Sequence, residues 1–237
     1  MLVTLTIVRY KKWQIPFAFL AMAWFRFPLY WNKNISFYKL MGSGKNGTFD
    51  KVPDLLQWAV LLVYAEGKQA LNEKTLDAGL GKSILRWLQW FKCESFTLFL
   101  SPLEGHGLWD RQQPFGVLSQ APAHEGPVGT LTRATIRISK LPHFWKNVAP
   151  VAQQMTLAAG YITSFGIGEV PWIKQATFSI WKSKEDMKRF AYGMKVHAEV
   201  VKKTRTERWY SEDMFVRFAI LHTIGTLRGK DPLQGIL

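Results

Sequence analysis

The chain has 237 residues, 48% of them hydrophobic and 20% charged, which excludes intrinsic disorder for most of its length and suits one large domain or two small ones. Its 31 Lys and Arg against 17 Asp and Glu leave a net charge of +14, accompanied by 11 Trp, 16 Phe and 7 Tyr. Nucleic acid, an anionic membrane surface and an acidic cofactor are therefore the partner classes to weigh, while a single cysteine, Cys93, excludes an intramolecular disulfide.

In chain order, residues 2–9 alternate like a strand. Arg9, Lys11 and Lys12 then precede an apolar run over 15–25 that ends near Ala21-Met22-Ala23, a pattern that mimics a secretory leader. The strand alternation argues against that reading. Pro16, Arg26 and Pro28 also interrupt the run before the ~20 apolar residues a bilayer span needs. Gly42-Ser43-Gly44-Lys45 lacks the spacing of a phosphate loop. Cys93 reads as a small hydrophobe ahead of a strand.

The chain then repeats itself. Residues 90–99 match 209–218 in their Trp, aromatic, acid, Phe and Phe offsets, pairing Trp90 with Trp209 and Phe96 with Phe215. Gly42-Ser43-Gly44 matches Gly166-Ile167-Gly168, and 2–9 matches 131–138. Each half reads strand, helix, strand, strand, helix, strand. In the second half the strands fall at 129–138, 161–170, 173–181 and 213–221. Its helices fall at 141–155 and 184–208, the latter broken at Gly193 and opened by Ser183 with Asp186 as a capping box. This order is the ferredoxin-like split βαβ unit. The expected class is α+β: duplicated ferredoxin-like units forming a dimeric-type α+β barrel within one chain. The halves are residues 1–115 and 126–237, joined through a Gln-, Pro- and Gly-rich stretch at 111–127.

Alternation assigns faces. Ala134, Ile136 and Ile138 share one face of their strand, and Arg133, Thr135 and Arg137 the other. Ala176, Phe178 and Ile180 oppose Gln175, Thr177, Ser179 and Trp181. Apolar faces are expected under helices, and polar faces in the space between the sheets. There Arg133 and Arg137 suit the carboxylates of a ligand. Among five histidines no metal-binding spacing occurs. His197 shares a helix face with Val200, Val201 and Thr204, so it reads either as a hydrogen-bonded core histidine or as an axial haem ligand.

Three strings carry a resemblance: Leu131-Thr132-Arg133-Ala134-Thr135-Ile136-Arg137, Gly166-Ile167-Gly168-Glu169-Val170-Pro171-Trp172, and Gln175-Ala176-Thr177-Phe178-Ser179-Ile180-Trp181. With Lys39-Leu40-Met41-Gly42-Ser43-Gly44, His197-Ala198, Trp209 and Arg217-Phe218, they resemble the spheroidene monooxygenase family, the acyclic carotenoid 2-ketolases, over nearly the whole chain. The resemblance implies a haem-dependent monooxygenase that uses O2 and a ferredoxin-type electron donor to oxidise the C2 end of an acyclic carotenoid, or a related lipophilic substrate, to a ketone. It implies His197 as the iron ligand and Arg217 and Gln175 as catalytic residues. Arg133 and Arg137 would meet the haem propionates, and Glu169 and Trp172 would line the pocket. Lys-rich stretches at 182–188 and 195–203, and His106, depart from the family pattern. The same barrel also serves haem-degrading and aldoxime-dehydrating enzymes, and a non-catalytic lipid-binding barrel is a further alternative. Basic helix faces imply a cytoplasmic protein docked at an anionic surface of the inner membrane. No nucleic acid partner is expected, since no RNP, KH or helix-turn-helix pattern occurs.

Overall fold

The computed structural model describes residues 1–45, 47–48, 50–67, 70–118, 124–193 and 195–237; within its helices the side chains at 148–150, 153, 195–199 and 201 lie outside the described residues. The N-terminal half runs β1 (Val3–Arg9), α1 (Ile15–Trp24), α2 (Arg26–Tyr30), β2 (Ile35–Gly44), β3 (Pro53–Tyr64), α3 (Glu73–Leu80), α4 (Lys82–Trp90) and β4 (Glu94–Gly107). The C-terminal half repeats the order as β5 (Val128–Ile136), α5 (Leu141–Leu157), β6 (Tyr161–Val170), β7 (Lys174–Trp181), α6 (Lys184–Gly193), α7 (Lys195–Thr206) and β8 (Tyr210–Gly225).

Local chemistry sets several boundaries. Pro16 and Pro142 sit in the first turns of α1 and α5, where a missing N–H costs nothing. Asn72 caps α3 by accepting from the Thr75 N–H at 3.1 Å, and Ser183 caps α6 by accepting from the Asp186 N–H at 3.1 Å. Gly81, at φ +80°, turns the chain sharply between α3 and α4.

The eight strands close a barrel in the order β1-β3-β2-β6-β7-β5-β8-β4, with every neighbouring pair antiparallel. Each half contributes a four-stranded sheet of ferredoxin-like order. The two seams between the halves differ. β4 and β8 pair from Phe96↔Gly225 to Gly107↔Met214. Among the described residues β2 and β6 pair only at Gly42↔Gly168 and Ser43↔Ile167, helped by the Ser43 hydroxyl donating to the Gly166 carbonyl at 2.8 Å.

All eight strands send apolar side chains into the barrel, among them Leu5, Met41, Leu61, Leu98, Leu131, Ile167, Phe178 and Phe218. Helices α1–α4 cover the outside of the N-terminal sheet through one apolar cluster containing Ala18, Ala21, Leu29, Leu62, Ile84 and Phe99. The outside of the C-terminal sheet carries two separate clusters. One joins Ala134 and Ile136 to Phe144, Trp145 and Trp209, and the other joins Val128 and Trp181 to Met155, Met187 and Phe190. Among the described residues no helix is long and apolar enough to cross a membrane.

The faces of β5 are as the alternation predicts, with Ala134 and Ile136 under helices and Arg133 pointing inward. Those of β7 are inverted. Ala176, Phe178 and Ile180 line the barrel interior, and Gln175, Thr177, Ser179 and Trp181 face the helices. Both sides of this sheet are covered, so apolarity alone does not say which side is which. The aromatic string match is also out of step. Phe96 points into the barrel, while Phe215 alternates with the inward Met214 and Val216 and so points out. Trp90 is 83% exposed and Trp209 only 1%. The duplication holds for the order of elements and not for these side chains, because a one-residue slip exchanges the faces of a strand.

Candidate active site

Two polar assemblies lie on opposite sides of the C-terminal sheet. The first plugs one end of the barrel. Arg133, 1% exposed, reaches the Glu212 carboxylate through Nη1, and Asp110 at 3.4 Å and Glu169 at 3.7 Å through Nη2. Lys39 pairs with Asp110 and, at 2.8 Å, with Glu169, while Lys174 pairs with Asp110 at 2.7 Å. The Trp109 indole N–H donates to Glu169 at 2.8 Å, and Glu212 accepts the Asp110 and Arg111 backbone N–H groups at 2.9 and 2.8 Å. Three cations thus meet three carboxylates. Burial pushes the Asp110 carboxyl up, but Lys174 and Lys39 outweigh it and hold it down to about 2. Burial likewise opposes ionisation of Glu212, and the two backbone N–H groups with Arg133 overcome it and lower its pKa.

The second assembly lies outside the sheet, between its two apolar clusters. The strand registers place Ser164, Ser179, Thr130, Arg217 and Glu104 side by side across β6, β7, β5, β8 and β4. The neighbouring row is Gly166, Thr177, Thr132, Phe215 and His106. Arg217 is buried and ion-paired with Glu104, whose carboxylate also meets Lys184 at 2.8 Å. Its guanidinium carbon lies 5.6 Å from the Phe215 ring centroid, and His106 stacks on the far side of the same row at 5.8 Å from that ring.

This face is incomplete in two ways. Thr132, on a strand with neighbours on both sides, is exposed, although the sheet is packed under helices at both ends. In its row and the next lie buried polar atoms with no hydrogen-bond partner among the described residues, Thr130 Oγ1, Thr177 Oγ1 and Arg217 Nε, and α5 carries two more such atoms, Trp145 Nε1 and Gln154 Oε1. Each such atom costs ~1–3 kcal/mol if left unpaired. Unpartnered polar atoms beside an exposed sheet centre are what a bound polar-edged group would satisfy.

The sequence-predicted residues divide between these places. Arg217 belongs to the outer face. Gln175 stands on that face too, its amide donating to the Val170 carbonyl at 3.1 Å. Arg133 and Glu169 are together, but inside the barrel and satisfied by each other and their neighbours. Arg137 does not reach the barrel interior: it follows β5 and is exposed beside the start of α5. Trp172 occupies the β6–β7 turn at φ +63°, with its indole N–H on the Lys51 carbonyl at 3.2 Å. His197 is carried on α7, and its side chain lies outside the described residues. Sequence reasoning grouped Thr177 with Gln175 and Ser179 but placed them on the inner side. It missed Thr130, Glu104, Trp145 and Gln154, whose only signal is polarity at positions that strand or helix periodicity buries.

Among solved structures, two crystal structures of aldoxime dehydratase share this architecture. One superposes with a TM-score of 0.63 at 9% identity, covering 100% of this chain and 87% of the other. The second, bound to butyraldoxime, gives 0.65 at 8%, covering 100% and 85%. At such identity the likeness is one of fold: the chain is a single-chain barrel of two ferredoxin-like halves. No protein-family model matches it. A spheroidene monooxygenase from Cereibacter sphaeroides is 32% identical over 235 residues, 98% of this chain and 70% of the relative. Another, from Rhodobacter capsulatus, is 33% identical over 220 residues, 92% and 89%, and one from Rubrivivax gelatinosus is 34% identical over 197 residues, 82% and 72%. The chain belongs to the spheroidene monooxygenase family and is a monooxygenase.

Proposed function

We propose that the chain binds haem over the outer face of the C-terminal sheet and oxidises the C2 end of an acyclic carotenoid to a ketone with O2 and electrons from a ferredoxin-type donor. The observation that carries this reading is the exposed Thr132 at the sheet centre, framed by buried polar atoms without partners. The family relatives, named for spheroidene, supply the substrate class.

The residues present fit such a group. Thr130 and Thr177 offer hydroxyls, Trp145 an indole N–H and Arg217 its Nε–H, all without partners among the described residues. His197 on α7 is the proposed iron ligand, and exposed Arg137 the proposed partner of a propionate. When bound, the haem iron supplies the activation of O2. Arg217 is permanently charged and held by Glu104, so it presents a fixed cation to a developing negative charge. Gln175 and Trp172 border the site on the β6–β7 side. Arg133 and Glu169 act at a distance, by holding the barrel end rigid. Each hydroxylation consumes one O2, two electrons and two protons and releases one water. Two at the same carbon give a geminal diol, which loses water to leave the ketone.

Protein from haem-supplemented cells is expected to show a Soret band that His197→Ala abolishes or shifts. A band unchanged in His197→Ala would remove the ligand assignment, and no band in the parent protein would overturn the haem reading. Expression in a host that accumulates an acyclic carotenoid then reads the ketone product directly.

A further inference from the structure

Helix α1, Ile-Pro-Phe-Ala-Phe-Leu-Ala-Met-Ala-Trp, contains no polar side chain. A helix apolar all round is normally enclosed, by a protein core or by lipid. Here Ala18 and Ala21 alone are buried against the N-terminal sheet, while Phe17, Phe19, Leu20 and Trp24 stand exposed. The exposure continues through Phe27, Tyr30 (72%) and Trp31 (77%) on and after α2, and includes Trp13 before α1. The helix pair is not loose. Phe17 packs on Phe91 at a ring separation of 4.9 Å, Phe19 on Trp58 at 5.1 Å and Phe25 on Trp87 at 6.0 Å. Trp90, at the end of the adjoining α4, adds to the same side of the sheet.

The segment that carries this surface has charge of one sign, although the adjoining α3 bears exposed Glu73 and Asp77. Residues 1–49 contain Arg9, Lys11, Lys12, Arg26, Lys33, Lys39 and Lys45 and no Asp or Glu. Of these, Lys11, Lys12, Arg26 and Lys33 are exposed at the ends and the joint of the two helices. Apolar helix sides bearing Phe and Leu, Trp and Tyr at their ends, and a segment whose own charges are all basic match an interfacial helix on an anionic leaflet.

We propose that α1 and α2 form a monotopic anchor that inserts Phe17, Leu20, Trp24, Phe27 and Trp31 into the headgroup–acyl boundary of an anionic bilayer. The anchor differs from the Lys-rich faces of α6 and α7 that the sequence suggested for docking. It stands independently of the proposed cofactor, since it concerns the other half of the barrel.

The test uses the full chain and vesicles of phosphatidylglycerol and phosphatidylcholine in equal parts. The parent protein is expected to sediment with them, less strongly as salt rises. The triple variant Trp24→Ser, Phe27→Ser, Trp31→Ser is expected to bind at least about tenfold more weakly, with its circular dichroism unchanged because all three side chains are exposed. Lys202→Gln with Lys203→Gln is expected to bind like the parent. Equal binding by the triple variant and the parent, or loss of binding only in the lysine variant, would overturn the proposal. So would a parent protein that ignores vesicles and dimerises in lipid-free buffer through a surface the triple variant abolishes, since a second copy would then be the occupant.

Discussion

Arg133 and Arg217 carry the same charge into different surroundings, and their expected phenotypes differ accordingly. Arg133 is enclosed by Glu212, Asp110 and Glu169, so its loss strands carboxylates inside the barrel end. Breaking such a buried network typically costs ~3–5 kcal/mol. Arg133→Met is therefore expected to lower the unfolding free energy from urea denaturation of the cofactor-free protein by that amount while leaving binding of the proposed haem by the folded fraction intact. A loss of haem with unchanged stability would place Arg133 at the cofactor instead. Among the described residues Arg217 has one carboxylate partner, shared with Lys184, and an Nε with none, which is the poorer arrangement for stability and the better one for meeting a ligand. Nothing in the sequence separates these two arginines. Both sit in alternating strands with a small or apolar neighbour on each side, and what distinguishes them is which side of a doubly covered sheet each one faces.

The strands and helices show where local rules reach and where they stop. Gly166 on β6 is fixed by a neighbour far away in sequence: a Cβ built there would meet the Thr48 carbonyl oxygen at 1.7 Å. Gly166→Ala is expected to push the segment after β2 off the sheet and cost ~1–3 kcal/mol in chemical denaturation, the range for forcing atoms into a packed site. The expected strand over 161–170 is β6 to the residue, because turn residues mark its ends locally; the expected break at Gly193 adjoins residue 194, which lies outside the described residues, and Gly193 itself is the last residue of α6. The helix expected over 141–155 runs on to Leu157. The last strand runs from Tyr210 to Gly225, well beyond the expected 213–221, because both its ends are held by distant β4 and β5. Faces were legible for β5, whose charged residue and small partners differ sharply, and not for β7, where either side could have been the core. The site was visible in pieces for the same reason. The polar run Gln175, Thr177, Ser179 was evident, but the cross-strand row it joins exists only once the registers of five strands are set.

Across the whole molecule the two halves share one topology and use it differently. The N-terminal sheet has a continuous apolar layer under its helices and turns apolar helix sides outward as well. The C-terminal sheet has a layer interrupted at its centre, with polar atoms around the interruption. The barrel plug balances its own ions, Lys39 of β2 among them, and the first 49 residues contain no Asp or Glu. The two halves share a scaffold and differ on the outside of each sheet.

The unequal seams bear on how the enzyme wears out. A ring opens where it is joined least, and among the described residues the shorter ladder joins β2 to β6, at Gly42↔Gly168 and Ser43↔Ile167, with residues 47–48 laid against Ser164 and Gly166. Ser164, at the end of the polar row, lies on β6 just inside that joint, whereas the long β4–β8 joint secures the other end at Glu104. Local opening needs less free energy than global unfolding. Warming is therefore expected to erase turnover, and the Soret band of the proposed haem, several degrees before far-ultraviolet circular dichroism reports melting. Coincident loss of all three signals would mean that the barrel fails as one piece.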